Sequence, residues 1–273
     1  MNKPKIALTI AGTDPTGGAG VMADLKSFHA CGVYGMAAIT SIVAQNTKGV
    51  QHIHNLELSW LEEQLDSVFD DELPQAIKTG MIATKEMMEL IRTYIEKHPE
   101  IPYVIDPVML AKSGDSLMDD KGKHALQSIL LPLADVATPN LPEAEEIVGF
   151  KLDNEDAIKK AGKIFIEEIG SKGVVIKGGH IEDDNIAKDY LYTKDGLEIF
   201  ESERYETKHT HGTGCTFSAV IAAELAKGKT IYEAVKKAKD FIALSIKYTP
   251  EIGQGRGPVN HFAYMKKVGL DDE

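Results

Sequence analysis

Residues 209–218, reading HTHGTGCTFS, hold the groups best suited to chemistry in this chain. Two glycines flank Thr213 and let the backbone turn sharply, so the amides of Gly212, Thr213, Gly214 and Cys215 can converge on one point. An apolar-striped helix follows from about residue 214, and its first-turn N–H groups and dipole favour an anion at that point. The same field lowers a thiol pKa, so Cys215 is expected to be an accessible thiolate beside a phosphate cradle. That combination suggests phosphoryl transfer. The plainer account of the same residues is a glycine-capped helix that carries a small buried cysteine.

Other positions supply what phosphoryl transfer would need. Asp106 ends a strand-like run and precedes Pro107, where a carboxylate could hold magnesium directly or through water. Lys112, on the loop that follows, could reach a transferring phosphate. Asn140 and Glu143 are three apart at a helix start. That is a capping arrangement needing no ligand, yet it also puts an amide and a carboxylate on a strand-end rim where hydrated magnesium could sit. Lys177 follows an apolar strand and precedes two glycines, a further cation on the same rim. Gln45 presents a donor and an acceptor side by side, the complement of an aminopyrimidine edge.

The loop 12–20 (GTDPTGGAG) has neither dinucleotide-fingerprint nor P-loop spacing. It reads as a close backbone approach to a small substrate, with Asp14 or Asp24 as polar contacts. His209, His211 and His261 are not expected to be zinc ligands, since lone histidines near glycine loops seldom are.

These residues need a scaffold that gathers strand ends. Strand-like runs are expected at residues 5–11, 36–44, 76–79, 103–106, 135–138 and 173–177. Helices are expected from the glycine loop to about residue 30, at 59–69 behind a Ser59/Glu62 capping box, and at 84–97 and 121–131. Further helices are expected from Asn140 to Gly149, at 156–169 and 215–227, and at 230–248 behind a Thr230/Glu233 box. Residues 187–193 and 197–205 alternate around Asp195-Gly196, a hairpin signal. The pattern predicts an α/β fold: a three-layer α/β/α sandwich with a mostly parallel central sheet and an antiparallel edge hairpin, its ligands at the carboxyl ends of the strands. No linker or repeat interrupts residues 1–273, which predicts a single domain.

Composition sets the outer limits. A chain of 273 residues with 43% hydrophobic and 26% charged residues is globular in type. A net charge of −12 disfavours nucleic-acid and membrane-surface partners. Cys31 and Cys215 are the two cysteines, too few for a disulfide framework. With no signal-peptide pattern or membrane-length apolar run, the expected location is cytoplasmic.

Assembled, the chain resembles the ribokinase-like small-molecule kinases and, within them, the hydroxymethylpyrimidine/phosphomethylpyrimidine kinases of thiamine biosynthesis. Six stretches carry the likeness in order: 9–20 (TIAGTDPTGGAG), 43–47 (VAQNT), 106–114 (DPVMLAKSG), 138–144 (TPNLPEA), 177–180 (KGGH) and 211–215 (HGTGC). The resemblance spans nearly the whole chain. It implies ATP and Mg²⁺ as cofactors, Cys215 at the catalytic-base position, Gly212–Cys215 as anion hole, Asn140 and Glu143 as the magnesium/phosphate motif and Lys177 on the ATP phosphates. It further implies a pyrimidine pocket of Gly12, Ala19, Val43, Gln45, Met81 and Val108, and a homodimer. The predicted activity is phosphorylation of 4-amino-5-hydroxymethyl-2-methylpyrimidine to its monophosphate and then its diphosphate. Lys112 is expected to serve the second step.

Three alternatives remain at this level. A pyridoxal kinase is one, because a bacterial branch shares the glycine–cysteine ending; that branch looks to carry a second cysteine where this chain has Ala111. A non-catalytic pyrimidine sensor is another, though it need not keep the phosphoryl-transfer set together. A cysteine hydrolase lacks a His/Asp pair placed to activate the thiol. Whether Cys215 is a true base or only a positioner depends on burial.

Overall fold

The computed structural model describes residues 3–109, 118–178 and 185–267. The chain opens with β1 (Ile6–Ala11), α1 (Gly20–Ala30), β2 (Tyr34–Ile39), β3 (Ser41–Asn46), β4 (Gly49–Asn55), α2 (Leu58–Phe69), β5 (Ile77–Thr79), α3 (Lys85–Lys97) and β6 (Tyr103–Ile105). There follow α4 (Asp120–Ala125), β7 (Val136–Ala137), α5 (Leu141–Val148), α6 (Glu155–Lys163), β8 (Gly173–Lys177), β9 (Ile186–Thr193), β10 (Gly196–Glu203), α7 (Thr213–Ala226), α8 (Ile231–Lys247) and α9 (Phe262–Lys267).

Eight strands form one sheet in the order β10-β9-β8-β7-β6-β5-β1-β2. Strands β2 to β8 of that order run parallel, and β9 and β10 add an antiparallel hairpin at the edge. Every residue of β1 is buried, as a strand covered on both faces requires. Its side chains divide between two cores. Leu8 and Ile10 join one built with α2 to α6, and Ala7 joins one built with α1, α7, α8 and α9. This is the three-layer sandwich the alternation of elements predicted.

Between β1 and β5 the strand order turns back on itself, since β2 lies outward on one side and β5 to β8 on the other. Crevices at such a switch point bind ligands outside the carboxyl ends of the strands. The loops that leave β1 at Gly12 and β5 at Gly80 therefore face a common space.

The structure corrects several boundaries. The apolar run 36–44 is not one strand. It breaks at Thr40, whose amide bonds to Ala11 O, and β3 leaves the main sheet to pair antiparallel with β4 as a separate two-stranded sheet. No glycine or proline marks the break, so hydrophobicity alone hid it. Ser59 does not cap α2: the N-cap is Glu57 with no side-chain bond, and Ser59 lies inside the helix. Residues 121–131 are not one regular helix, because α4 is capped by Asp119, passes into a π-helical turn at Leu126–Leu130 and then a 3₁₀ turn at Leu131–Leu133. The helix expected at 156–169 likewise becomes π-helical at Ile164–Ile169. The Thr230/Glu233 box is present with both reciprocal bonds, and the β9–β10 hairpin pairs Thr193 with Gly196 as its turn signal predicted. No helix among the described residues is long and apolar enough to cross a membrane.

Candidate active site

Gly212 starts the site. It is the N-cap of α7 in the left-handed region at φ 78°, and a Cβ there would lie 1.6 Å from Gly18 O, so only glycine fits. From Thr216 to Ala226 every residue of α7 is buried. The helix is thus fixed in the core with its N-terminal amides facing the switch-point crevice. That crevice is a cavity of about 320 Å³, and Gly212, Thr213, Gly214 and Cys215 line it.

An apolar wall stands opposite. Val43 and Gln45 on β3 and Val50 on β4 reach over the cavity from the small sheet, and Met81, Val108 and Ala19 complete it. Gly12 lies at the end of β1 on the same lining. The Gln45 amide donates to Thr13 O at 3.4 Å, a long bond that a ligand could replace. All six residues expected to line a pyrimidine pocket are brought together here.

The charged rim comes from the ends of β6, β7 and β8. Lys177 Nζ lies 3.0 Å from Asp106 Oδ1, which also accepts from Thr138 Oγ1 at 3.3 Å. A Cβ on Gly214 would stand 3.2 Å from both Asp106 Oδ2 and Lys177 Nζ, so the pair abuts the first turn of α7. Asn140 and Glu143 form the reciprocal capping box, with bonds of 2.9 and 2.8 Å, and still line the cavity. The capping and site accounts of this pair are both true. Burial pushes the Glu143 carboxyl up to about 7; Lys177 opposes this and Asp106 adds to it.

Cys215 corrects its expectation. It is half-buried on the cavity wall, but burial of its thiol pushes its pKa up to about 11, not down. Lys78 and a hydrogen bond from the Gly20 amide pull the other way, while Asp24 and Asp106 add to the rise. Desolvation outweighs the helix field.

Asp14 and Asp24 are not ligand contacts either. Asp14 is fully buried and organises the glycine loop, accepting from the amides of Thr16 and Ala19, from Thr16 Oγ1, and pairing with His211 Nε2 at 2.7 Å. Burial works to raise its pKa, but the bonds from His211 and Thr16 outweigh it and hold the carboxyl below the usual range. Asp24 is sealed in the core, where Oδ2 accepts from Lys78 Nζ at 2.8 Å and Thr9 Oγ1 at 2.6 Å. Lys112 and Ala111 lie outside the described residues.

Sequence reasoning weighed His211, which lines the cavity, only as an unlikely zinc ligand, and it passed over Lys78, which sits behind the cavity. A lysine inside the apolar strand 76–79 was the available signal for Lys78. It also passed over a second cavity of about 260 Å³ beyond Lys177, walled by Gly178, the ends of β9 and β10, and Ile242, Ala243 and Ile246 of α8. Lys177 and Thr213 line both cavities, so the two meet across the first turn of α7.

The family model described as phosphomethylpyrimidine kinase matches residues 14–260. The chain belongs to the phosphomethylpyrimidine kinase family. The hydroxymethylpyrimidine/phosphomethylpyrimidine kinase of Staphylococcus aureus is 75% identical over 273 residues, all of this chain and 99% of the relative. Among solved structures, the ADP complex of Bacillus subtilis pyridoxal kinase superposes with a TM-score of 0.88 at 41% identity, covering 96% of this chain and 98% of that one. The phosphomethylpyrimidine kinase of Clostridium difficile superposes at 0.79 and 41% identity, covering 89% and 99%. This member of the family is thus a phosphotransferase with the ribokinase-like fold, acting on a small molecule with ATP as donor.

Proposed function

We propose that this kinase phosphorylates 4-amino-5-hydroxymethyl-2-methylpyrimidine first to the monophosphate and then to the diphosphate, in thiamine biosynthesis. One observation carries the reading: a mostly apolar cavity, with the carboxamide of Gln45 on its apolar wall, opens onto the N-terminus of α7 and shares Lys177 with a second cavity. A flat aminopyrimidine suits the first, its ring against Val43, Met81 and Val108 and its amino edge on Gln45. ATP suits the second, its phosphates running over Lys177 to the α7 amides.

In this reading the substrate hydroxyl attacks the γ-phosphorus in line, its oxygen forming the new P–O bond as the bond to ADP breaks. Cys215, reacting as its thiolate, takes the hydroxyl proton and becomes the thiol, and the Gly212, Thr213, Gly214 and Cys215 amides receive the charge on the equatorial oxygens. Lys177 leaves Asp106 in part to offset charge on the ATP oxygens.

The donor set also suits Mg²⁺. Asp106 and Glu143 put two carboxylates on the rim against the single ammonium of Lys177, and a divalent cation would relieve Glu143 of its raised pKa. Glu143 beside Asn140 would hold the ion, while Asp106, with Oδ1 already engaged, contributes charge from behind. Bound Mg²⁺ would supply charge neutralisation on the phosphate oxygens.

Lys112 is proposed to meet the extra phosphate of the monophosphate acceptor, so Lys112→Ala should lower the second step more than the first. Ile42 and Ile53, exposed on the small sheet that roofs the cavity, favour a homodimer in which a second copy covers them. Both cysteines are free, in keeping with a cytoplasmic enzyme.

The test is ATP consumption by purified protein with Mg²⁺ against hydroxymethylpyrimidine, its monophosphate and pyridoxal in parallel. Turnover of both pyrimidines that falls by about 10²–10⁴ in Cys215→Ala is the expected result. The likeness to a solved pyridoxal kinase supports a second reading, and preference for pyridoxal would establish it.

A further inference from the structure

Lys78 lines neither cavity, yet it lies just behind the one whose wall carries Cys215. It sits on β5, the strand beside β1 at the switch point, and its side chain is wholly buried, as is that of its partner Asp24 on α1. A Cβ on Gly80 would lie 2.9 Å from Lys78 Nζ and 3.2 Å from Ala11 Cβ. Gly80 and Ala11 both line the acceptor cavity. The ammonium therefore rests directly beneath the cavity floor, and the missing side chain at Gly80 makes room for it.

Such a pair is poorly explained by stability. Each ion gives up several kcal/mol of hydration, and a packed apolar pair of similar volume is often as stable or more so. Asp24 is further disadvantaged, because its Oδ1 is buried with no hydrogen-bond partner. Two donors on Oδ2, one of them an ammonium, nonetheless fix the carboxylate. Lys78 stays charged: burial alone would lower its pKa, but Asp24, then Cys215 and Asp106, raise it above the ordinary lysine range.

We propose that Lys78 is a positioning residue for phosphoryl transfer: its ammonium, seated on Asp24 beneath Gly80, stabilises the thiolate of Cys215 while touching neither substrate nor nucleotide. Four charged groups act on that thiol, and Asp24 lies one turn along α1 from Gly20, whose amide hydrogen-bonds to Cys215. Lys78 from β5 and Lys177 from β8 favour the thiolate, and Asp24 from α1 and Asp106 beyond β6 oppose it. Of the two cations only Lys78 is sealed from both cavities, so a bound nucleotide cannot draw it away. This role rests on the reading of Cys215 as the base.

The experiment is the pH dependence of Cys215 alkylation by iodoacetamide, followed by mass spectrometry of the Cys215 peptide in protein held in EDTA without substrate. Lys78→Met should raise the apparent thiol pKa by about one unit, and Asp24→Asn, which leaves the lysine charge uncompensated, should lower it by about as much. Opposite displacements of that kind would not come from loosened packing, which would move both variants the same way. Shifts of one sign in both, or no shift, overturn the proposal. Should Lys78→Met fail to fold, Lys78→Gln, which keeps a donor for Asp24 but no charge, decides in its place: a higher thiol pKa supports the proposal, and an unchanged or lower one overturns it. The pH profile of kcat/KM for the same variants should move with the alkylation profile. Undiminished kinase activity in Cys215→Ala alongside opposite alkylation shifts would instead strike at the base assignment, removing the role in transfer while leaving the coupling of Lys78 to Cys215 intact.

Discussion

Two lysine–aspartate pairs lie about the switch-point crevice, alike in chemistry and unlike in setting. Lys78–Asp24 is closed on every side, at 2.8 Å and with both side chains at 0% exposure. Lys177–Asp106 is almost as short, at 3.0 Å, but its lysine retains 16% exposure and lines both cavities. A sealed pair cannot change partners, so it can only set a fixed field. An open pair can trade its carboxylate for a phosphate. Access to solvent, more than separation or residue type, divides the two roles.

The sharpest way to break that contrast is to remove each lysine in turn. Lys78→Ala leaves Asp24 buried and uncompensated and should cost about 3–5 kcal/mol in urea unfolding. Lys177→Ala exposes Asp106 to a wet cavity and should cost less than half as much stability while lowering kcat by about 10²–10³. Equal losses of stability would erase the distinction between sealed and open.

Glu143 sharpens the open side. Its folded-state pKa of about 7 stands above the ordinary value of 4.5, so the folded protein holds this proton more tightly than the unfolded chain does. The stabilisation is full below about pH 4.5 and is lost as pH rises through about 7. Glu143→Gln, measured in EDTA, should therefore raise the melting temperature relative to the parent by about 2 °C or more above pH 7, and by less near pH 5. A difference that does not change with pH would remove Glu143 from the group of strained rim charges.

Gly80 gives the smallest effect and the most local. Gly80→Ala puts a methyl 2.9 Å from Lys78 Nζ and should cost about 1 kcal/mol as the ammonium shifts. Alkylation of Cys215 should slow in step, whereas ATP affinity on the Lys177 side should not change.

Most of the fold was legible because alternation of apolar runs and helical stripes is written locally, and the β9–β10 hairpin and the α8 capping box carried their own short signals. Where the sequence misled, a local signal was missing or false. The apolar run 36–44 gave no sign of its break at Thr40, and the Ser59/Glu62 spacing imitated a cap that Glu57 occupies.

The site divides the same way. The residue types alone singled out Gly212, Thr213, Gly214, Cys215, Asp106, Asn140, Glu143, Lys177 and Gln45, and the structure gathers all nine on one cavity. What each charge does there was decided only by the tertiary structure. Asp24 and Lys78 are 54 positions apart, and nothing in either neighbourhood says that they meet. The Cys215 thiol was expected to fall in pKa because a helix N-terminus is visible in sequence, and it rises because burial is not. Backbone turns, caps and strand periods depend on neighbours in the chain, so the sequence determined them. Desolvation and ion pairing depend on what packs from elsewhere, so only the folded chain could set them.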